Sequence, residues 1–382
     1  MTRWAALPAA VLAALALAPA ASASEWLAGD LHVHTTYSHD SYGGPTDDNT
    51  GPDQFYTLGH TVTSQFAIAK TRGLDYLAIT DHNDIRSQSD PGFGFGGVLP
   101  IPAYENSLNG HAQMLGATRL YDNGDQSVAA VTALEDALHA DGGVFQANHP
   151  ASPRWGYQYD VPVDSVEVWN LPWYYQPPFP AATDNDYALA YWYGWLDRGK
   201  HVAATGGSDN HWVSTTAAQG VGQPTTWVYS SDRSVQGVLE GIRAGHTAVS
   251  WQPPAYGGPR VYLEADGDRN GTYESMAGDT VPQGSPLRVR VDGAPGATLR
   301  IVTNGGQQAF APVTIAGPSF EQDFTLPAGD TWVHAQVYGD DAKDARISGC
   351  DTVFGADMTK PSTYCSNRVT MLALTSALYL QP

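Results

Sequence analysis

The sequence predicts an α/β fold followed by a small C-terminal β-sandwich-like domain. Three observations carry this expectation. Short apolar runs alternate with helix-period segments from about residue 24 to residue 252, the pattern of strand–helix–strand units in a parallel sheet or barrel. Beyond residue 252 helical patterns are scarce, and short strand-like runs alternate with turns. The 382 residues also include 40 Gly and 26 Pro, which suits many turns and long connections and argues against a helical bundle.

Residues 1–23 read as a signal peptide outside the fold. Arg3 gives the positive n-region, 5–18 is an apolar run, and Ala21-Ser22-Ala23 is a small-residue cleavage site. Pro8 and Pro19 break that run below bilayer-spanning length. The expectation is a secreted or periplasmic protein without a transmembrane segment. The first strand is expected over 26–33, and the end of a helix over 65–71 before Gly73. Residues 74–79 form the next strand. A helix over 127–140 ends before Gly142-Gly143, where the strand 144–147 begins. Strands over 163–169 and 201–205, a helix over 234–244 ending at Gly245, and a strand over 247–251 complete this half. Pro253-Pro254 and Gly257-Gly258-Pro259 mark a boundary between 24–252 and 253–382. Strands are expected beyond it over 261–264, 287–291, 298–302 and 332–338.

The charge balance is 19 Lys+Arg against 39 Asp+Glu, a net −20 at pH 7, which argues against nucleic-acid binding. A small-molecule substrate is the expected partner. Apolar residues at 42% permit a sizeable core. Two cysteines exclude a disulfide scaffold and a Cys-rich zinc module. Export makes a Cys350–Cys365 bridge plausible, two free thiols being the alternative.

Five polar clusters carry the chemistry. In Asp30-Leu31-His32-Val33-His34, strand alternation turns His32 and His34 to one face and Val33 to the other. Asp30 shares the histidine face, where it is expected to orient an imidazole, and Asp40 lies close enough in sequence to fold over the same mouth. Thr80-Asp81-His82-Asn83 follows a strand, the position where α/β barrels build active sites. Glu105 and His111 offer a bridging carboxylate and a neutral nitrogen. Asn148-His149-Pro150 again follows a strand, and Asp209 with His211 in Gly206-Gly207-Ser208-Asp209-Asn210-His211 repeats the two-residue spacing. Any one cluster has a bland reading as a capped turn or a solvated histidine. Together they supply six imidazoles, three carboxylates and no thiolate, a donor set for two or three Zn, Mn or Fe ions.

The order His-x-His-Thr, Ile-Thr-Asp-His-Asn, Glu…Gly-His, Asn-His-Pro and Gly-Gly-Ser-Asp-x-His resembles the PHP (polymerase and histidinol phosphatase) superfamily. Residues 206–211, 225–229, 238–245, Val249-Ser250 and 373–380 are similar to its carbaryl-hydrolase-like (CehA/McbA-like) branch. The resemblance implies a distorted (β/α)7 barrel with a trinuclear metal centre at the strand C-termini. One metal would take His32, His34, Glu105 and Asp209. A second would share Glu105 and add His111 and His149. The third would take Asp40, His82 and His211. It further implies a metal-dependent phosphoesterase working through a metal-bridging hydroxide, with Glu105, Asp209 and His211 at the reacting centre. A carbamate or carboxylic-ester hydrolase on the same centre, or a non-catalytic metal-binding module, are the alternatives.

Substrate contacts are expected from Arg154 and from the aromatic loop that includes Trp173, Tyr174 and Tyr175, although Arg154 also fits a surface salt bridge and the loop a simple cover. The helix over 187–196 is expected to pack its rings into the core. His39, His60, His139, His201, His246 and His334 fall outside the motifs and read as structural or solvated. Asp266-Gly-Asp268-Arg-Asn270-Gly271 resembles the start of a calcium loop but has Ala277 at position 12, so an acidic turn is the rival reading.

Overall fold

Three of the helices begin where a hydroxyl is free to cap them. Thr61, Ser127 and Ser234 accept from the backbone N–H three residues on, starting α1 (Val62–Thr71), α2 (Val128–Ala140) and α4 (Val235–Arg243). The remaining helix, α3, runs over Asn185–Leu196. The computed structural model describes Met1 and residues 24–38, 61–108, 110–121, 125–150, 157, 159–171, 173, 185–211, 220–339 and 371–382. The expected leader (2–23), Asp40, His39, His60, Arg154, Tyr174, Tyr175, Cys350 and Cys365 lie outside these residues. No helix among the described residues is long and apolar enough to cross a membrane.

The fold is mixed α/β. In the N-terminal half the strands are β1 (Glu25–Asp30), β2 (Tyr76–Ala78), β3 (Leu99–Ile101), β4 (Glu105–Asn106), β5 (Ala112–Leu115), β6 (Val144–Ala147), β7 (Ser165–Asn170), β8 (Ala203–Gly207), β9 (Thr225–Ser230) and β10 (Thr247–Ser250). They form two sheets, β10-β9-β1-β2-β3 and β4-β5-β6-β7-β8. The pairs β1–β2–β3 and β6–β7–β8 are parallel, whereas β1–β9, β9–β10, β4–β5 and β5–β6 are antiparallel. The sheets are therefore mixed, not all-parallel, and their ladders do not close into a cylinder among the described residues. Only isolated bridges, Val33 with Asn210 and His82 with Glu105, join them. Between β8 and β9–β10, hydroxyls stand in for ladder bonds: Gly206 N donates to Thr226 Oγ1, which donates to Gly206 O, and Thr247 Oγ1 donates to Ala204 O.

The C-terminal half is β-rich, as the turn-punctuated pattern implies. Its strands are β11 (Arg260–Ala265), β12 (Ser275–Met276), β13 (Thr280–Pro282), β14 (Leu287–Asp292), β15 (Thr298–Thr303), β16 (Gln307–Gln308), β17 (Val313–Thr314), β18 (Ser319–Phe324), β19 (Trp332–Tyr338), β20 (Met371–Thr375) and β21 (Leu378–Gln381). A sheet β12-β11-β14-β18 shares a core with β15, β19, β20 and β21, which bury Val261, Leu263, Val289, Leu299, Val333 and Ala335. β20 returns to pair with β10, so one sheet runs from β1 into the C-terminal half. At the end of α3, Asp197 accepts from Trp332 Nε1 and Gly305 N and so ties the halves together. In the Asp266 loop both Asp266 oxygens accept backbone N–H bonds, from Asn270 and Gly271.

Candidate metal centre

The site is built from residues that have just left their strands. His32 and His34 follow β1 on either side of the fully buried Val33, and their Nε2 atoms lie 3.1 Å apart. Asp209 and His211 follow β8, His82 follows β2, His149 follows β6, and Glu105 opens β4. His149 and Asp209 adopt left-handed backbone conformations, φ 28° and 48°, which non-glycine residues rarely hold without surrounding support.

Glu105 is the hub. Its Oε2 lies 3.3 Å from His32 Nε2, 3.4 Å from His34 Nε2 and 3.2 Å from His82 Nδ1. Its Oε1 lies 2.9 Å from His111 Nδ1 and 3.4 Å from His149 Nε2. On the other side, Asp209 Oδ1 is 3.3 Å from His32 Nε2, 3.2 Å from His34 Nε2 and 3.4 Å from His211 Nδ1. His211 stacks on His34 with ring centroids 3.9 Å apart. Eight of the nine residues read from the motifs thus meet in one place; Asp40 is outside the described residues. Groups whose ligand atoms lie within 4.8 Å of one another include His32/His34/Asp209, His34/His82/His211, His82/Glu105/His111 and His32/His149/Glu167.

Glu167 was not among the residues singled out from the sequence. Its Oε1 is 2.9 Å from His32 Nδ1, while Oε2 accepts from His149 N and Asn170 Nδ2. The available signal is a carboxylate in the middle of Ser-Val-Glu-Val-Trp-Asn, the wholly buried strand β7. The expectation that Asp30 orients an imidazole is corrected. Asp30 instead accepts the backbone N–H groups of His32, Ser208 and Gly222, tying β1 to the end of β8 and to the chain just before β9. Two flat oxygens facing three amides suit backbone capture, and leave Glu167 to reach the ring. Asn148 Nδ2 donates to Glu105 Oε1 and Asn170 Nδ2 to Asp209 Oδ2, so both carboxylates are held from behind.

The electrostatics are those of densely packed, buried groups. Burial acts to raise Glu105 and Asp209, but the surrounding imidazoles win and hold both well below the ordinary carboxylate range. Burial acts to lower His32, but Asp209, Glu167 and Glu105 raise it well above the usual imidazole value. Burial pushes Asp30 up to about 6 and Asp81 up to about 7. Buried nitrogens and oxygens converging without a thiolate fit divalent cations. His149 Nδ1 adds a buried ring nitrogen with no hydrogen-bond partner among the described residues.

Of the expected substrate contacts only Trp173 is described. It is buried, stands edge-to-face against Trp169 at 5.0 Å and donates to Asp186 Oδ1, so it lies among core aromatics. Trp192 and Trp195 of α3 are fully buried in the same core.

A family model described as a protein of unknown function (DUF3604) matches residues 21–89. No curated protein matches. Similar solved structures include a two-domain protein from Bacteroides vulgatus containing a predicted PHP-like metal-dependent phosphoesterase. It is 17% identical, with 84% of this chain and 92% of that one covered and a TM-score of 0.43. A candidate metal-dependent phosphoesterase from Bifidobacterium adolescentis is 14% identical, with 51% of this chain and 90% of that one covered and a TM-score of 0.29.

Proposed function

We propose that this chain is an exported, metal-dependent hydrolase of small phosphoesters, of the PHP type, with a preference for diesters. The observation that carries the reading is the convergence of five imidazoles on the single carboxylate of Glu105, with Asp209 closing the other side. We read the catalytic half as an opened form of the (β/α)7 barrel, with these residues beyond its strand ends.

His32, His34, Glu105 and Asp209 would hold one divalent cation, zinc, manganese or iron; His111 and His149 a second, shared through Glu105; His82, His211 and Asp40 a third. When bound, such cations supply Lewis acidity and lower the pKa of water toward neutrality. The protein's own part is to place charge. Glu167 accepts the Nδ1 proton of His32, which leaves Nε2 as a lone-pair donor facing Glu105 and Asp209. Asn148 and Asn170 fix the carboxylate rotamers. Asp209, whose side chain is 17% exposed against 1% for Glu105, is the carboxylate nearest to where substrate enters.

The diester preference rests on charge. Among the described residues, every ion pair to Glu105, Asp209 or Glu167 comes from an imidazole, and none from Lys or Arg. A net −20 also repels dianions, within a Debye length of about 8 Å at physiological salt. The test is kcat/KM of the metal-loaded protein on nitrophenyl phosphate, bis-nitrophenyl phosphate, nitrophenyl acetate and a naphthyl carbamate. The expected result is fastest turnover of the phosphodiester. Turnover confined to the acetate or carbamate overturns the phosphoesterase reading. A monoester advantage of tenfold, ~1.4 kcal/mol in the transition state, overturns the preference alone.

A further inference from the structure

A second group of ligand-bearing side chains lies outside the site described above. Glu135 and His139 stand one helical turn apart on α2, so they share a face. Asp164 immediately precedes β7 and faces them. Ligand atoms of the three lie within 4.8 Å of one another. Asp164 Oδ2 also accepts from Phe145 N at the start of β6, so the group sits at the strand N-termini. His149 follows the other end of β6, about 13 Å away at the rise of a four-residue strand.

An ordinary ion pair explains part of this arrangement. His139 Nε2 lies 2.8 Å and 3.0 Å from the two oxygens of Asp164, which satisfies that carboxylate. Glu135 is left over. Its side chain is 11% exposed, and its Oε1 lies 3.9 Å from His139 Nε2, beyond hydrogen-bond reach. A carboxylate largely withdrawn from water is costly unless it takes a proton or meets a cation. Burial, reinforced by the charge of Asp164 and opposed by His139, pushes Glu135 up to about 7. Lys200 lends only a weak positive field, because its ammonium donates to the carbonyls of Val161 and Asp160.

We propose that Glu135, His139 and Asp164 form a structural zinc site, separate from the catalytic centre, that fastens α2 to the start of β6 and β7. One imidazole and two carboxylates are zinc donors, and the nitrogen disfavours calcium and magnesium. Zinc held at ~2.0–2.2 Å from each donor needs donor atoms roughly 3.5 Å apart, so the 3.9 Å gap closes by a small side-chain rotation. The His139 side chain is 34% exposed, which gives the ion a path in and water a place at the fourth position.

The test uses the full chain, stripped by chelation and titrated with zinc, with bound zinc counted by mass spectrometry and located by anomalous diffraction at the zinc edge. Wild type is expected to show an anomalous peak among Glu135, His139 and Asp164. His139→Ala and the shape-preserving Glu135→Gln are expected to lose that peak, bind about one zinc fewer and keep the peaks around Glu105. No peak at this position in wild type at millimolar zinc overturns the proposal. So does a peak of unchanged occupancy in both variants.

Discussion

Glu167 Oε1 lies 2.9 Å from Nδ1 of His32, and both side chains are fully inaccessible to solvent. A carboxylate at this position fixes the imidazole tautomer and strengthens Nε2 as a donor. Glu167→Gln keeps the shape, but its oxygen is still claimed by His149 N and Asn170 Nδ2, so its NH2 faces His32 Nδ1 and no longer holds the proton there. The expected outcome is metal affinity weakened roughly 10–100-fold with the fold intact. Competition with a chromophoric chelator measures the affinity, and nitrogen NMR of labelled His32 reads the tautomer. Unchanged affinity with an unchanged tautomer would show Glu167 to be a packing residue only.

Glu105 is the point through which the two sides of the centre communicate. Glu105→Gln removes the one charge that five imidazoles face, while Asn148 Nδ2 still finds an oxygen to donate to. Loss of roughly 100-fold or more in kcat/KM is expected, with lower bound metal. Near-normal turnover at full metal content would remove Glu105 from the bridging role.

Much of this site is legible in the sequence, because each ligand sits at a strand end in a short motif. The helix over 234–244 is equally legible: Ser234 caps its start, and Gly245 at φ 76° ends it. Pattern reading fails where tertiary context decides. Residues 26–33 look like one strand, yet β1 stops at Asp30, because beyond it the amides of His32 and Val33 go to the side chains of Asp30 and Thr80. The antiparallel pairing of β9 with β1 and β10 leaves no local trace, nor does the return of β20 to β10 across the chain. Glu167 escapes because a strand buried on both faces carries no periodicity, and a single carboxylate within it has no motif partner nearby.

Gly207 shows how closely β8 must approach β1. A Cβ there would lie 2.3 Å from His32 Cβ and 2.7 Å from Glu167 Oε1, closer than any tolerated contact. Neither neighbour can retreat without losing its partner. Gly207→Ala is therefore expected to cost about 2–3 kcal/mol in denaturant unfolding and to weaken metal binding together with stability. Wild-type stability and metal content in this variant would mean that the two strands separate freely.

The C-terminal half carries its own pH sensitivity. His334 is wholly buried in β19, with Nε2 2.9 Å from the Tyr193 hydroxyl, which also accepts from Gln336. Burial lowers its imidazole to about 3, and a backbone hydrogen bond with Thr375 opposes this only weakly. The unfolded chain takes up this proton near the ordinary value of 6.5, while the folded chain refuses it until about 3. Between those values the unfolded state binds more protons, so this residue makes stability rise with pH and fall as the solution is acidified. At pH 4.5 the loss from this group reaches about 2–3 kcal/mol at most, from two units at ~1.4 kcal/mol each. His334→Gln keeps a polar partner for Tyr193 and cannot titrate. The drop in unfolding free energy between pH 7 and pH 4.5 should then be smaller in His334→Gln than in wild type, in metal-free protein so that the catalytic centre contributes equally to both. Equal drops would mean that His334 becomes protonated in the folded state without penalty.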